Sequence, residues 1–339
     1  MTALPAFCMP WHTSVSNAFQ VILVDPLRHL VPIALTPWNQ DAMVPLQATA
    51  QDPARPLIFC QLPPPELLLR ETARVVWLPM WDNVARWPES YWAKLPKQLR
   101  IVAFSSPVEH IARRFGLPTL RVHFFLDPQI IEPVRHGAER TMIYWNRVGL
   151  YSYAAIRRIC ADLAVSRLIH IHRPDPGYDY PGLHLPERID KTRVKTVRDF
   201  LPDADHHRLL RESSICLAPR ALEGVGLTVL QSMARGACVL ASDSPATNEY
   251  IEHGRSGYLF RSYSRGTHKW RKSLAKRWHY LTGRQELFHY HMISAGQIGS
   301  ALSRINPDQL GEAAREEHVR GYFRWQGELE QLANFLTHW

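Results

Sequence analysis

The sequence predicts an α/β protein of two halves, each built on a parallel sheet, and three observations carry that reading. Short apolar runs alternate with amphipathic stretches along the whole chain, the pattern of strands buried under helices on both faces. The length of 339 residues corresponds to about two domains of roughly 150 residues each. Residues 213–260 string together an apolar strand, a glycine loop, an amphipathic helix and a second apolar strand, the local grammar of a parallel sheet.

In the first half, strands are expected at residues 31–35, 57–60, 75–78, 101–104 and 121–125. Helices are expected at 14–29 and 107–115, with Gly116 where a helix-ending glycine belongs. Asp127-Pro128 and Glu132-Pro133 punctuate the chain, and the boundary between halves falls in residues 127–135. In the second half, strands are expected at 142–145, 167–172, 215–218 and 238–242, with helices at 151–163, 203–212 and 227–235 between them. From Thr267 onward the chain reads as mostly helical. These boundaries give an N-terminal domain over 1–133, a C-terminal domain over 134–310 and a helical tail over 311–339. No internal repeat and no low-complexity tract interrupts the plan.

Composition excludes several classes. Apolar residues make up 46% and charged residues 21%, ordinary globular values that exclude disorder as the main state. No apolar run approaches the roughly 18 residues of a membrane span, and no basic region followed by an apolar stretch marks a secretory leader. The five cysteines, Cys8, Cys60, Cys160, Cys216 and Cys238, are odd in number and scattered, which fits reduced core thiols in a cytoplasmic protein. Forty basic against 31 acidic residues leave a net charge of +9. Such a surface attracts anions: nucleotides, nucleic acid or an anionic membrane face.

The segment that carries chemistry is SSICLAPRALEGVGLTVLQSMARGACVLASDSPATNEYIEHGRSGYLF, residues 213–260. A strand ends at Ala218-Pro219. A loop with Glu223, Gly224 and Gly226 leads into a helix whose apolar face is Leu227, Leu230, Met233 and Ala234. Gly236 ends that helix. Free N–H groups and the positive end of a helix favour a phosphate or diphosphate, and Gly224 and Gly226 let backbone approach it closely. The same glycines also suit a plain tight strand-to-helix turn, and the pattern alone leaves both readings open.

Read in order, Pro219-Arg220, Glu223-Gly224-Val225-Gly226-Leu227, Gln231-Ser232-Met233-Ala234, Gly236, Asn248-Glu249-Tyr250-Ile251 and Gly254 through Gly257-Tyr258-Leu259 resemble the nucleotide-sugar signature of glycosyltransferase family 4, the group 1 glycosyltransferases. The resemblance covers about 45 residues. It implies the GT-B fold: two Rossmann-like domains with parallel sheets facing a central cleft, residues 1–133 on the acceptor side and 134–310 binding the nucleotide sugar, and a helical C-terminal tail, 311–339, that returns to the first domain. It also implies a retaining, metal-independent hexosyltransferase-like activity. The donor would be a UDP- or GDP-linked sugar, the acceptor a surface glycan or lipid-linked molecule in polysaccharide biosynthesis. No cofactor and no metal ion is implied. The location implied is cytoplasmic, peripheral on the inner face of the membrane.

The resemblance assigns roles residue by residue. Glu223 matches the first carboxylate of the family's Glu-x7-Glu pair, and the second position is Gln231, a departure; an amide still accepts one ribose hydroxyl. Gly224, Val225, Gly226 and Leu227 match the donor-binding loop. Arg147 matches the family's arginine after the first strand of the second domain, which neutralises the leaving diphosphate. The lysine five residues on is Ser152, a second departure, and Arg220 stands in reach of that task. Asn146, beside Arg147, and His12, in the loop before the first helix, are candidate cleft residues; a solvated loop histidine is the plainer reading of His12. Where the family often has a histidine, the tip after strand 75–78 carries Asp82, which suits an acceptor hydroxyl or proton transfer and equally suits a turn-forming Asp-Asn pair.

Two clusters read as bland. His170-x-His172 points both rings to one face of a strand, and His206-His207 opens a helix, but neither comes with a third ligand at metal-binding spacing. The plain readings are strand-end polar residues and a solvated helix turn. The basic, aromatic stretch 265–284 fits an anionic lipid surface or an ordinary helix that packs its tryptophans inward. Two further function classes remain beside the enzyme: a catalytically weak GT-B binding or assembly subunit, motivated by Gln231 and Ser152, and a nucleic-acid protein, motivated by charge alone and without a reading motif.

Overall fold

The computed structural model describes residues 6–10, 18–31, 34–38, 56–61, 63, 68–69, 74–135, 139–146, 151–173, 183–199, 201–220, 222–260 and 299–339. The chain divides into two compact units. Unit 1 holds Met1–Pro128, Leu222–Leu230 and His318–Trp339, and unit 2 holds Gln129–Ala221 and Gln231–Glu317.

Unit 1 is built on six parallel strands: β1 (Ala6–Pro10), β2 (Ala34–Trp38), β3 (Leu57–Cys60), β4 (Val75–Leu78), β5 (Arg100–Ala103) and β6 (Thr119–Arg121), in the spatial order β2-β1-β3-β4-β5-β6. β3 and β4 are buried at every position, as a parallel strand covered on both faces must be. A π-helical turn, Gln20–Val24, runs into α1 (Asp25–Leu27). The short helices α2 (Trp81–Val84) and α3 (Glu89–Trp92) link β4 to β5. α4 (Ser106–Arg114) links β5 to β6, with Pro107 in its first turn, Arg113 and Arg114 in its last, and Gly116 at φ 71° just past its end, where glycine carries no Cβ penalty. The core beneath them centres on Trp77, whose ring stacks on Trp87 at 5.4 Å and on Trp92 at 5.5 Å, among Phe59, Ile101 and Val108. Burying each such side chain is worth about 1.5–3 kcal/mol.

Unit 2 is built on β7 (Thr141–Asn146), β8 (Arg167–His172), β9 (Arg188–Ile189), β10 (Thr192–Val197), β11 (Ile215–Ala218), β12 (Cys238–Ser242) and β13 (Tyr258–Phe260). Their order is β13-β12-β11-β7-β8-β10-β9, parallel throughout except for the antiparallel edge pair β9–β10. Helices α5 (Tyr153–Asp162), α6 (Asp203–Arg211) and α7 (Leu227–Arg235) make the crossovers. Tyr144, Tyr151, Ile156, Ile159, Leu217 and Leu240 form the centre of its core. The segment after Pro128 is tied into unit 2: the Val134 N–H donates to the Arg235 carbonyl at 2.8 Å, the Arg235 guanidinium to the Glu132 carbonyl at 2.8 Å, and Arg211 pairs with Glu132.

α8 (Pro307–Thr337) contributes to both units. Asn306 caps its start, accepting from the Asp308 N–H at 3.1 Å. A Cβ on Gly311 would clash with the Gly236 carbonyl, and one on Gly321 with the Phe125 ring. His318 Nε2 lies 2.9 Å from the Leu126 carbonyl, and Trp325 meets Phe124 edge-on.

Most expected elements lie where the sequence places them. The run 31–35 is displaced to Ala34–Trp38, and 121–125 to Thr119–Arg121. Four strands, β1, β9, β10 and β13, are additions to the expected set. β10, Thr-Arg-Val-Lys-Thr-Val, exposes Arg193 and Lys195, so its polar residues mask the strand pattern. All five cysteines are buried and outside any disulfide; burial pushes Cys216 up to about 11 and Cys160 and Cys238 up to about 12, which leaves these three unreactive. Among the described residues no helix is long and apolar enough to cross a membrane. The basic stretch 265–284 lies outside the described residues.

Candidate functional site

In the second sheet the chain starts at β7, adds β8 and β10 on one side, and β11, β12 and β13 on the other. The strand order therefore reverses between β7 and β11. Open α/β sheets bind ligands outside the carboxyl ends of their strands at such a point. The glycine loop leaves the carboxyl end of β11, and Asn146 is the last residue of β7.

The loop is shaped by its glycines. Gly226 sits at φ 77°, a region that costs other residues about 1–2 kcal/mol, and its carbonyl accepts the Leu230 N–H at 3.0 Å. The helix α7 starts one residue later, with Leu230, Met233 and Ala234 fully buried. Leu227, expected on the same apolar face, is half-buried. Gly224 is buried against the tip after β4: a Cβ there would lie 3.2 Å from Met80 Cβ and Sδ and 3.3 Å from Asp82 Oδ1. Asp82 and the Glu223–Gly224 loop are thus immediate neighbours within unit 1. Asp82 itself lies in the first turn of the one-turn helix α2, after Trp81.

Glu223 is half-buried, and its carboxylate accepts the Gly224 N–H at 3.1 Å. Val225 is buried and serves packing. Arg220 is half-buried; its N–H donates to the Ala218 carbonyl at 3.0 Å, and its own carbonyl accepts from Ser244 at 3.3 Å. Gln231 is half-buried on the second turn of α7. Asn146 is fully buried, with its amide directed to the two imidazoles of β8. Arg147 and His12 lie outside the described residues. Ser152, where the resemblance leads one to expect a lysine, caps α5: its hydroxyl accepts from the Ala155 N–H at 3.1 Å.

His206 is not the solvated residue its position suggests, whereas His207 is exposed as a helix turn there would have it. His206 packs on Trp145 at 5.2 Å, and burial pushes it down to about 4. His207 Nδ1 lies 2.9 Å from the buried Arg235 guanidinium. Among the described residues no group of three or more His, Cys, Asp or Glu side chains is arranged to hold a metal ion.

With this geometry in place, the likenesses to known proteins follow its outline. The fold is α/β of GT-B type with parallel sheets and a C-terminal helix. Residues 177–276, which include the glycine loop and α7, match the family described as Glycosyl transferases group 1. Three solved structures resemble the chain over nearly their full length. The Anabaena protein Alr3699/HepE in complex with UDP and glucose is 10% identical, with 99% of this chain and 100% of that chain covered at a TM-score of 0.60. Sucrose-phosphate synthase from Thermosynechococcus elongatus is 12% identical, with 98% and 99% covered at 0.59. A glycosyltransferase from Rickettsia africae is 11% identical, with 100% of both chains covered at 0.53. No curated protein matches.

Proposed function

We propose that the chain is a retaining glycosyltransferase of the family 4 type. It moves a sugar from a UDP- or GDP-linked donor to a surface-glycan or lipid-linked acceptor at the inner face of the membrane, without a metal or cofactor. The observation that carries this reading is the loop Glu223–Gly226 at the start of α7, packed against Asp82, inside the stretch that matches the group 1 glycosyltransferases. The loop and the helix start take the donor diphosphate. Glu223 accepts a hydroxyl of the donor sugar, exchanging its present bond to the Gly224 N–H. Arg147 and Arg220 offset the charge that grows on the departing diphosphate, usually a large part of the rate enhancement. Gln231 accepts a ribose hydroxyl, and Asp82 holds the acceptor hydroxyl. UDP and glucose in the Anabaena relative support a nucleotide-sugar donor.

The test is transfer itself. The full chain is incubated with UDP- and GDP-sugars and polyprenyl-linked acceptors, and released nucleoside diphosphate, product and anomeric configuration are followed with and without chelator. Release and transfer with retained configuration, unchanged by chelator, is the expected result.

A second reading, a catalytically weak binding or assembly subunit of the same fold, rests on Ser152, whose hydroxyl is committed to capping α5 where the family carries a lysine. Tight nucleoside diphosphate binding with no turnover of any donor would favour it.

A further inference from the structure

At the amino ends of β8 and β10 the strand register aligns arginines. Arg193 of β10 is the direct partner of Arg188 on β9 and of Arg167 on β8. Register partners share a face of the sheet, so three arginines stand in a row across three strands. Lys195 follows two residues along β10, on the same face. Arg188, Arg193 and Lys195 are exposed and Arg167 is half-buried. With Glu139 and Val194, three of these cations (Arg167, Arg193 and Lys195) line a cavity of about 330 Å³. The row lies wholly within unit 2, at the opposite end of its sheet from Asn146 and His172.

Like charges set directly opposite one another across strands cost stability. Two carboxylates offset that cost in part. Arg193 donates to both Glu139 oxygens, at 2.7 and 2.5 Å. Arg167 donates to Glu212 at 3.1 Å. Glu212 also meets Arg208 at 3.4 Å, and Arg208 brings its own carboxylate, Asp205, at 2.9 Å. Among the described residues Arg188 and Lys195 have no ion-pair partner. Four cations against Glu139 and Glu212 therefore leave this face at +2. A phosphate monoester carries about −1.5 to −2 at pH 7.

We infer that this cavity is a binding site for a small phosphate monoester, held by Arg193, Arg167 and Lys195 and separate from any donor site at the carboxyl ends of the strands. The guanidinium fork matches two phosphate oxygens at once, and Lys195 adds a point charge beside it. The Arg193–Glu139 pair stands in the way at little cost, because both side chains are more than half exposed and exposed ion pairs contribute little. Arg193 therefore exchanges a carboxylate for a phosphate of higher charge. The volume is at the lower end of small-ligand sites, roughly 300–1,000 Å³, which suits a phosphate on a short polar body. Glu139 and Glu212 disfavour an anionic lipid surface, whose spread of negative charge would face these carboxylates as well. The inference stands whether or not the glycine loop takes a nucleotide.

The experiment is calorimetric binding of inorganic phosphate, glycerol 3-phosphate and glycerol to the full chain at constant ionic strength, with sedimentation of phosphatidic acid vesicles as a separate arm. The parent is compared with Glu139→Gln and with the double variant Arg193→Gln, Lys195→Gln, whose exposed positions leave the fold intact. Phosphate and glycerol 3-phosphate are expected to bind the parent and glycerol is not. The double variant should bind both anions about tenfold or more weakly. Glu139→Gln removes the competing carboxylate and should tighten both by about threefold or more. Phosphate that binds the double variant as it binds the parent is held elsewhere, the glycine loop included, and overturns the inference while leaving the nucleotide reading untouched. Weaker binding in Glu139→Gln overturns it too, as does a parent that sediments with the vesicles but binds neither soluble anion. Loss of UDP binding, with phosphate still sensitive to Arg193 and Lys195, would overturn the nucleotide reading alone.

Discussion

Gly224 is where the candidate site tolerates least. Its missing Cβ leaves room for Met80 and Asp82, with contacts of 3.2 and 3.3 Å waiting for any added carbon. Gly224→Ala forces the loop or Asp82 to give by a few tenths of an ångström. Displacements of that order near reacting groups cost far more in rate than in stability. The expected outcome is a melting temperature within a few degrees of the parent and turnover down by about tenfold or more; parent turnover would mean that the Gly224–Asp82 contact is packing alone. Glu223→Gln is nearly isosteric and keeps an acceptor for the Gly224 N–H, so the fold should survive. It removes the charge that strengthens a sugar-hydroxyl bond, and turnover is expected to fall by about a hundredfold. A folded Gln variant that transfers sugar at the parent rate would take Glu223 out of the chemistry.

At the scale of elements, α5 separates structure from catalysis. Ser152 satisfies one of the free N–H groups at the helix start, and Ser152→Ala should cost about 1 kcal/mol in urea unfolding with turnover unchanged. A fall in turnover beyond the stability loss would place Ser152 on the diphosphate. What can be read from the sequence divides in the same way. β3, β4, β11 and β12 are short and apolar, because both faces of a parallel strand are covered, and their positions follow from composition alone. α7 is legible from the spacing of Leu230, Met233 and Ala234, and its loop from Gly224 and Gly226. β10 escapes because Arg193 and Lys195 are exposed on one face, and β9 and β13 are too short to carry a pattern. The Asn146–His170–His172 network is illegible for another reason. It depends on the register of β7 against β8, which brings residues 24 to 26 positions apart into contact, and no local pattern encodes that register. The nearness of Asp82 to Gly224 is equally non-local.

At the scale of the molecule, the buried histidines couple folding to pH. Burial pushes His170 and His206 down to about 4, and lowers His172 and His207 as well. Arg198 and His184 face the first pair, and Arg235, Arg173 and Asp203 the second; only Asp203 opposes the shift. A histidine held neutral when folded binds fewer protons than the same residue unfolded, between its folded pKa and its ordinary value near 6.5. Stability is then fully present above that ordinary value and is lost as pH falls toward 4. Between pH 7 and pH 5 the loss is about 2 kcal/mol for each of the two deepest rings, so at most about 4 kcal/mol together. Glu132, held low by its hydrogen bond and ion pair with Arg211, acts in the same direction but only below the ordinary carboxylate value of 4.5, so the histidine window is separable. Urea unfolding of the full chain at pH 7, 6 and 5 should show a midpoint that falls with acidity. His206→Gln, which keeps a polar side chain against Trp145 and cannot titrate, should remove about half of that dependence. Equal stability at pH 7 and pH 5, or an unchanged slope in the Gln variant, would mean that these rings take up their protons without loss of the fold.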